Sequence, residues 1–277
     1  MLYSYEITLL ILCPLIFLAS FIDSIAGGGG LISLPAYVFA GLPIHTAYGT
    51  NKFPASLGTM AAMGNYLRGG CVDLQAAIPG SIGAIAGSWI GTRLALFLSP
   101  RALQICLIVI LPLVGIFILS GRGLSRRSKA NQDGSTSAGR RESNQVSLQN
   151  KMSLKLKLLL SFAIGLVFGC YDGFFGPGAG MFMTIALSGL VHLELIKAVG
   201  TTKALNFSSN IASMFTWLFS GKILFPIAIP CAVCSVAGGY LGSRMAMKIG
   251  KKLIHLVLAL VAMLLFIRIL FDVLRAF

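Results

Sequence analysis

Charge is what this 277-residue chain has least of: charged residues make up 11% of it, and acids number only eight. Hydrophobic residues reach 56%. No soluble globular domain carries that balance, so the class is a polytopic membrane protein. Lipid then surrounds most of the surface and backbone groups must close on themselves, which leaves helices as the main element. The alternation that marks barrel strands is absent, and the apolar runs are too long for it. Histidine is scarce too. His45, His192 and His255 lack metal-ligand spacing, and Ser, His and Asp form no arguable triad, so an enzyme reading has little support and no metal or cofactor is implied. A basic start is missing from the N-terminus, and the apolar run from Ile7 is long enough to stay in the membrane, so no cleavable signal peptide is expected.

The net charge of +14 is unevenly spread. Residues 121–155 hold eight Lys or Arg against Asp133 and Glu142, among many Ser, Gly, Asn and Gln, and read as a flexible basic linker. No stacking aromatic accompanies these charges, so a nucleic-acid partner is not expected. The positive-inside bias makes the segment a cytoplasmic loop. Six cysteines sit almost wholly in apolar stretches. Cys231-x-x-Cys234 has the spacing of a redox or metal pair, but no His lies nearby. Repeat alignment sets the two opposite Gly80 and Gly83, which makes them small packing residues.

What the chain does have is a duplicate of itself. Gly49-Thr50-Asn51-Lys52 recurs as Gly200-Thr201-Thr202-Lys203, and Gly87-Ser88-Trp89-Ile90-Gly91-Thr92-Arg93 recurs at the same spacing as Gly238-Gly239-Tyr240-Leu241-Gly242-Ser243-Arg244. Asp23 followed by Gly27 to Gly30 is echoed, after a two-residue slip, by Asp172 followed by Gly176-Pro177-Gly178-Ala179-Gly180. Duplicated membrane segments broken by glycine at matching places point to a transporter with its site between the halves.

The expected organisation is two pseudo-symmetric transmembrane repeats, 1–120 and 156–277, joined by the linker. Each holds about five apolar segments: 7–26, 30–42, 53–67, 74–98 and 102–120, then 156–175, 179–193, 204–221, 223–247 and 253–271. A crossing needs about 20 residues. The second segments fall short and the third are marginal, as expected of broken or re-entrant helices lining a cavity. If all five cross, the repeats are inverted, and the linker, Arg68, Lys197 and the lysines 248, 251 and 252 fall inside; if four cross, that lysine cluster is forced outside. The positive-inside bias favours inversion. Gly80, Gly83, Gly87 and Gly91 share one helical face and predict close packing.

Several residues are candidates for a site. Gly27, Gly28, Gly29 and Gly30, with Gly176, Gly178 and Gly180, can turn N–H groups toward a cavity and cradle an anion at a helix start. The alternative is that they only allow tight helix crossing. Thr50 or Asn51, and Thr201 or Thr202, suit the N-cap of the third segments. Lys52 and Lys203 would then lie in a first helical turn, where a cation opposes the dipole. A bound anion accounts for them there, and a lysine snorkelling to a headgroup is the bland alternative. Asn206 and Asn210 follow one and two turns later. Asp23 and Asp172 are either proton-coupling carboxylates or structural acceptors for the glycine-loop N–H groups. Arg93 and Arg244 end the fourth segments, where snorkelling is the default and anion attraction the alternative.

Together, Asp23 through Gly30, the two Gly-Thr-x-Lys motifs with Ala204-Leu205-Asn206-Phe207, and the two Gly-x-x-x-Gly-x-Arg endings resemble the sulfite exporter TauE/SafE family of membrane transporters. The resemblance spans both halves and omits the linker. It implies a multi-pass protein of a bacterial inner or plasma membrane that moves sulfite or organosulfur anions such as sulfoacetate, usually outward. The long linker and the proline in the second glycine cluster depart from the pattern and leave the substrate open. Transport of another ion, a cation included, or a scaffold acting through the linker are the alternatives. Assembly with further copies of the chain also stays open.

Overall fold

A computed structural model describes residues 4–106 and 152–249. The linker up to residue 151 and nearly all of both fifth segments lie outside the described residues, and with them the number of crossings. The described residues are helical, with no strand among them. In the first half run α1 (Tyr5–Ala26), α2 (Gly30–Phe39), α3 (Ile44–Arg68) and α4 (Leu74–Phe97), with a further helical stretch over 100–106. In the second run α5 (Leu154–Phe174), α6 (Ala179–Gly189), α7 (Leu195–Phe219) and α8 (Phe225–Ile249).

The burial pattern is inside out relative to a soluble bundle. α4 buries Ala76, Gly80, Gly83, Ala84, Gly87, Ser88, Gly91 and Thr92 and exposes Leu74, Ile78, Ile82, Ile85, Trp89 and Leu94. Small residues let backbones approach, while large aliphatic ones face outward, the arrangement of helices packed in lipid. α1, α5 and α8 are long and apolar enough to cross a membrane. The glycine face of α4 packs as expected: a Cβ at Gly83, Gly87 or Gly91 would collide with the α5 backbone at Phe162, Leu166 or Cys170. In the other half, Gly238 and Gly242 press against Phe17 and Phe21 of α1, and Cys231 is buried.

The halves interlock by exchange. α1 packs on α8 as α5 packs on α4, α3 packs on α8 as α7 packs on α4, and α3 and α7 meet at the centre. Residue pairs give the directions. Tyr48 lies against Trp217, Lys52 and Thr59 meet Asn210, and Gly200 abuts Tyr66, so α3 and its counterpart α7 run antiparallel. Arg68, Lys157, Lys197, Arg244 and Lys248 gather at one end: Lys157 pairs with Asp73 just before α4, Asp73 N–H donates to Thr201 near the start of α7, and Gly69 sits beside Met247 near the end of α8.

The third segments are not marginal: α3 and α7 are 25 residues each. Their N-caps are Pro43 and Glu194, so Thr50, Asn51, Thr201 and Thr202 are not capping residues, and Lys52 and Lys203 stand in the third turn rather than the first. Tertiary contact overrides the local signal. Inside these helices Gly49 and Gly200 let the backbones of Lys222 and Cys71 come close; a Cβ at Gly49 would fall 2.5 Å from the Lys222 carbonyl oxygen. Thr50 and Thr201 then take reciprocal roles across the halves, accepting the backbone N–H groups of Leu224 and Asp73. They fasten the segment that leads into the next helix, away from any cavity.

Candidate functional site

The two glycine segments end one helix, start another, and cross at the middle of the molecule. α1 stops at Ala26 because Gly27, at φ +83°, turns the chain into the left-handed region while its N–H donates to the Asp23 carbonyl. Gly176, at φ +88°, does the same for α5, its N–H donating to the Tyr171 carbonyl. Each segment touches the other: Met181 N–H donates to the Gly27 carbonyl at 3.1 Å, and a Cβ at Gly30 would stand 3.1 Å from Pro177 Cα. The short helices α2 and α6, of 10 and 11 residues, thus begin next to one another. Their first-turn N–H groups have no carbonyl four residues back within the helix, which leaves positive helix ends at the crossing.

A cavity of about 60 Å³ lies there, lined by Gly27, Gly29 and Gly30, by Gly176, Gly178 and Gly180, and by Asn51, Lys52, Asn206, Asn210, Asp23 and Asp172. A water needs about 10–15 Å³ of such space. The cavity therefore takes a few waters or one small ion, and it excludes sugars and nucleotides. Ser20, Ser33, Thr59 and Ser235 also line it; these hydroxyls escaped sequence reasoning because isolated serines carry no spacing signal.

Each repeated lysine finds its opposite charge in the other half. Lys52 Nζ lies 3.0 Å from Asp172 Oδ2 and donates at 2.9 Å to Asn210 Oδ1; Ser209 Oγ donates to the same Asp172 oxygen. Lys203 Nζ lies 2.9 Å from Asp23 Oδ2 and also donates to the Asp23 carbonyl, while Gly29 N–H donates to Asp23 Oδ1 at 3.2 Å. The cue was in the sequence, since intramembrane charges are almost always paired and the repeat contributes one Lys and one Asp per half. Asp23 is thus both a glycine-loop acceptor and a lysine partner. Asp172 bonds the lysine and serine.

The sequence candidates divide. Gly28, Thr202 and Lys203 do not line the cavity; Thr202 bonds Thr184 between α6 and α7, and Lys203 reaches it only through Asp23. Thr50 and Thr201 are fasteners, as described. Arg93 and Arg244 stand outside on exposed helix faces, stacked on Trp89 at 5.5 Å and Tyr240 at 5.2 Å. That is packing on the outer surface, away from the cavity. Among the described residues no three or more His, Cys, Asp or Glu side chains cluster so as to hold a metal ion.

This paired site between crossed half-helices has a family to go with it. The profile described as "Sulfite exporter TauE/SafE" matches residues 12–269, nearly the whole chain. The chain belongs to the sulfite exporter TauE/SafE family. Relatives matched over most of their own length bear this out. A "Probable membrane transporter protein ORF9" of Sinorhizobium sp is 35% identical over 92% of this chain and 90% of its own. One from Haemophilus influenzae is 32% identical over 92% of both chains, and YfcA of Escherichia coli K12 is 30% identical over 92% and 87%. No solved structure matches. The protein is accordingly a membrane transporter of this family.

Proposed function

We propose that the protein carries a small oxyanion, sulfite or a related organosulfur anion, outward across the cell membrane by alternating access of two inverted repeats. The observation that carries this reading is the pair of Lys–Asp bridges joining the halves around a cavity of ionic size, with two helix N-termini at its edge. With both bridges closed the formal charges cancel, so the cavity has little net attraction for an anion. A proton on one aspartate changes that. The Asp23 side chain is 21% exposed where Asp172 is 5%, so Asp23 is the carboxyl that a proton can reach from the cavity. The Lys203 charge behind Asp23 is then no longer cancelled and attracts the anion into the cavity, where Asn51, Asn206, Asn210 and the glycine N–H groups donate to its oxygens. Anion and proton thus favour each other's binding and travel together. Because both bridges span the halves, opening and re-forming them also links binding to the rocking of one half against the other.

The test is flux of labelled sulfite in proteoliposomes, with and without a pH gradient. Lys52→Gln/Asp172→Asn and Lys203→Gln/Asp23→Asn keep each site neutral and hydrogen-bonded, so folding survives while anion attraction goes. Both should abolish flux; normal flux in both overturns the reading. A second reading, transport of a small cation, rests on Asp23 being the charged group most open to the cavity; labelled sodium or potassium in the same liposomes separates the two.

A further inference from the structure

Three aromatic side chains toward the end of the molecule opposite Lys157 carry buried polar atoms with no partner among the described residues: His45 Nε2, Tyr48 Oη and Trp217 Nε1. They belong together. The Trp217 ring lies 6.0 Å from that of His45 and 6.2 Å from that of Tyr48. Trp217 is 0% exposed and Tyr48 2%. A buried polar group without a partner costs about 1–3 kcal/mol, and three of the six such side-chain atoms among the described residues gather here. Packing does not demand these residues either. At the repeat's constant offset (Gly49 to Gly200), the other half has Ile196 and Val199 opposite His45 and Tyr48, and Tyr66 opposite Trp217. There the same space is filled by aliphatic side chains, and the Tyr66 hydroxyl is satisfied by the Ser24 carbonyl. Of these positions, the unpartnered rings occur at one end only.

An indole N–H only donates, so whatever satisfies Trp217 is an acceptor and not a metal ion. Tyr48 stands four residues before Lys52 on α3, hence on the same face and about 6 Å further along the axis. We infer that His45, Tyr48 and Trp217 form a second anion station, through which the transported oxyanion passes between the central cavity and the end of the molecule away from Lys157. The inference rests on the proposed anion transport and adds to it a site outside the Lys–Asp bridges.

Trp89 and Trp217 are the two tryptophans, and Trp89 lies on the outer surface, 52% exposed. A Trp89→Phe protein therefore reports Trp217 fluorescence alone. Titrated with sulfite in nanodiscs, it should show a saturable change in emission. That change should persist in Trp89→Phe/Lys52→Gln/Asp172→Asn, whose central site is disabled, and should need about tenfold more sulfite once Tyr48→Phe removes one donor. A silent Trp217 in a protein that transports sulfite overturns the station and leaves the central reading intact. A Tyr48→Phe variant with unaltered titration and flux overturns it as well, and means that the rings hold water only. If Trp217 responds while the two paired bridge variants still transport normally, the station stands and the central-site reading falls.

Discussion

Two bridges stand in corresponding places of the two halves, and they are wired differently. Lys52–Asp172 is closed off: both side chains are 5% exposed, and Asn210 and Ser209 take up the remaining bonds. Lys203–Asp23 has a buried lysine but a carboxylate open to the cavity. The difference traces to the repeat itself. At the constant offset, Asn210 and Ser209 correspond to Thr59 and Gly58, so the second bridge lacks the amide and hydroxyl that saturate the first. A few side chains thus saturate one bridge and leave the carboxylate of the other open.

The comparison breaks most plainly under loss of one charge. Lys52→Ala leaves Asp172 buried beside a lone hydroxyl donor and should cost about 3–5 kcal/mol, read as a large fall in melting temperature in detergent. Lys203→Ala leaves Asp23 with access to cavity water and should fall clearly less. Equal falls would erase the distinction. Next in size is the proton dependence of flux. Asp23→Asn should remove the acceleration by acid on the loading side, because protonation no longer has a carboxylate to act on, whereas Asp172→Asn should keep it; sulfite flux against pH in both variants decides the matter.

The wiring can also be transferred. Thr59→Asn places an amide at the position equivalent to Asn210 and should shrink the pH dependence several-fold while raising the melting temperature, as saturating hydrogen bonds to a charge contribute about 1.5–3 kcal/mol. Gly27→Ala should weaken expression and flux, since its Cβ meets the Gly180 carbonyl carbon at 2.5 Å in a left-handed conformation, whereas Gly30→Ala, with 3.1 Å to Pro177 Cα and no positive φ, should be milder. Smallest of all should be deletion of 125–150. A transporter keeps most of its flux without the linker, and loss of function would favour a scaffold role.

Much of this was readable from residues alone. The apolar excess gives the membrane class, and the glycine breaks give the short α2 and α6. The small-residue face of α4 announces its partner. The Gly-Thr-x-Lys motifs misled at one point: threonine and asparagine suit helix caps, yet here they sit within long helices, because Gly49 and Gly200 serve contact with the opposite half and not a helix start. A local propensity of a few tenths of a kcal/mol yields to such packing.

What the sequence by itself determined is the duplication, the membrane setting and the residue types at the centre, since composition, period and motif are properties of the chain in order. Only the tertiary structure decided that each lysine answers to the aspartate of the opposite repeat, and that one of those pairs is sealed while its twin is open. Partners separated by 120 and 180 positions leave no local trace; which oxygen an ammonium finds depends on how the helices cross, and that is settled by the packing of many small side chains together.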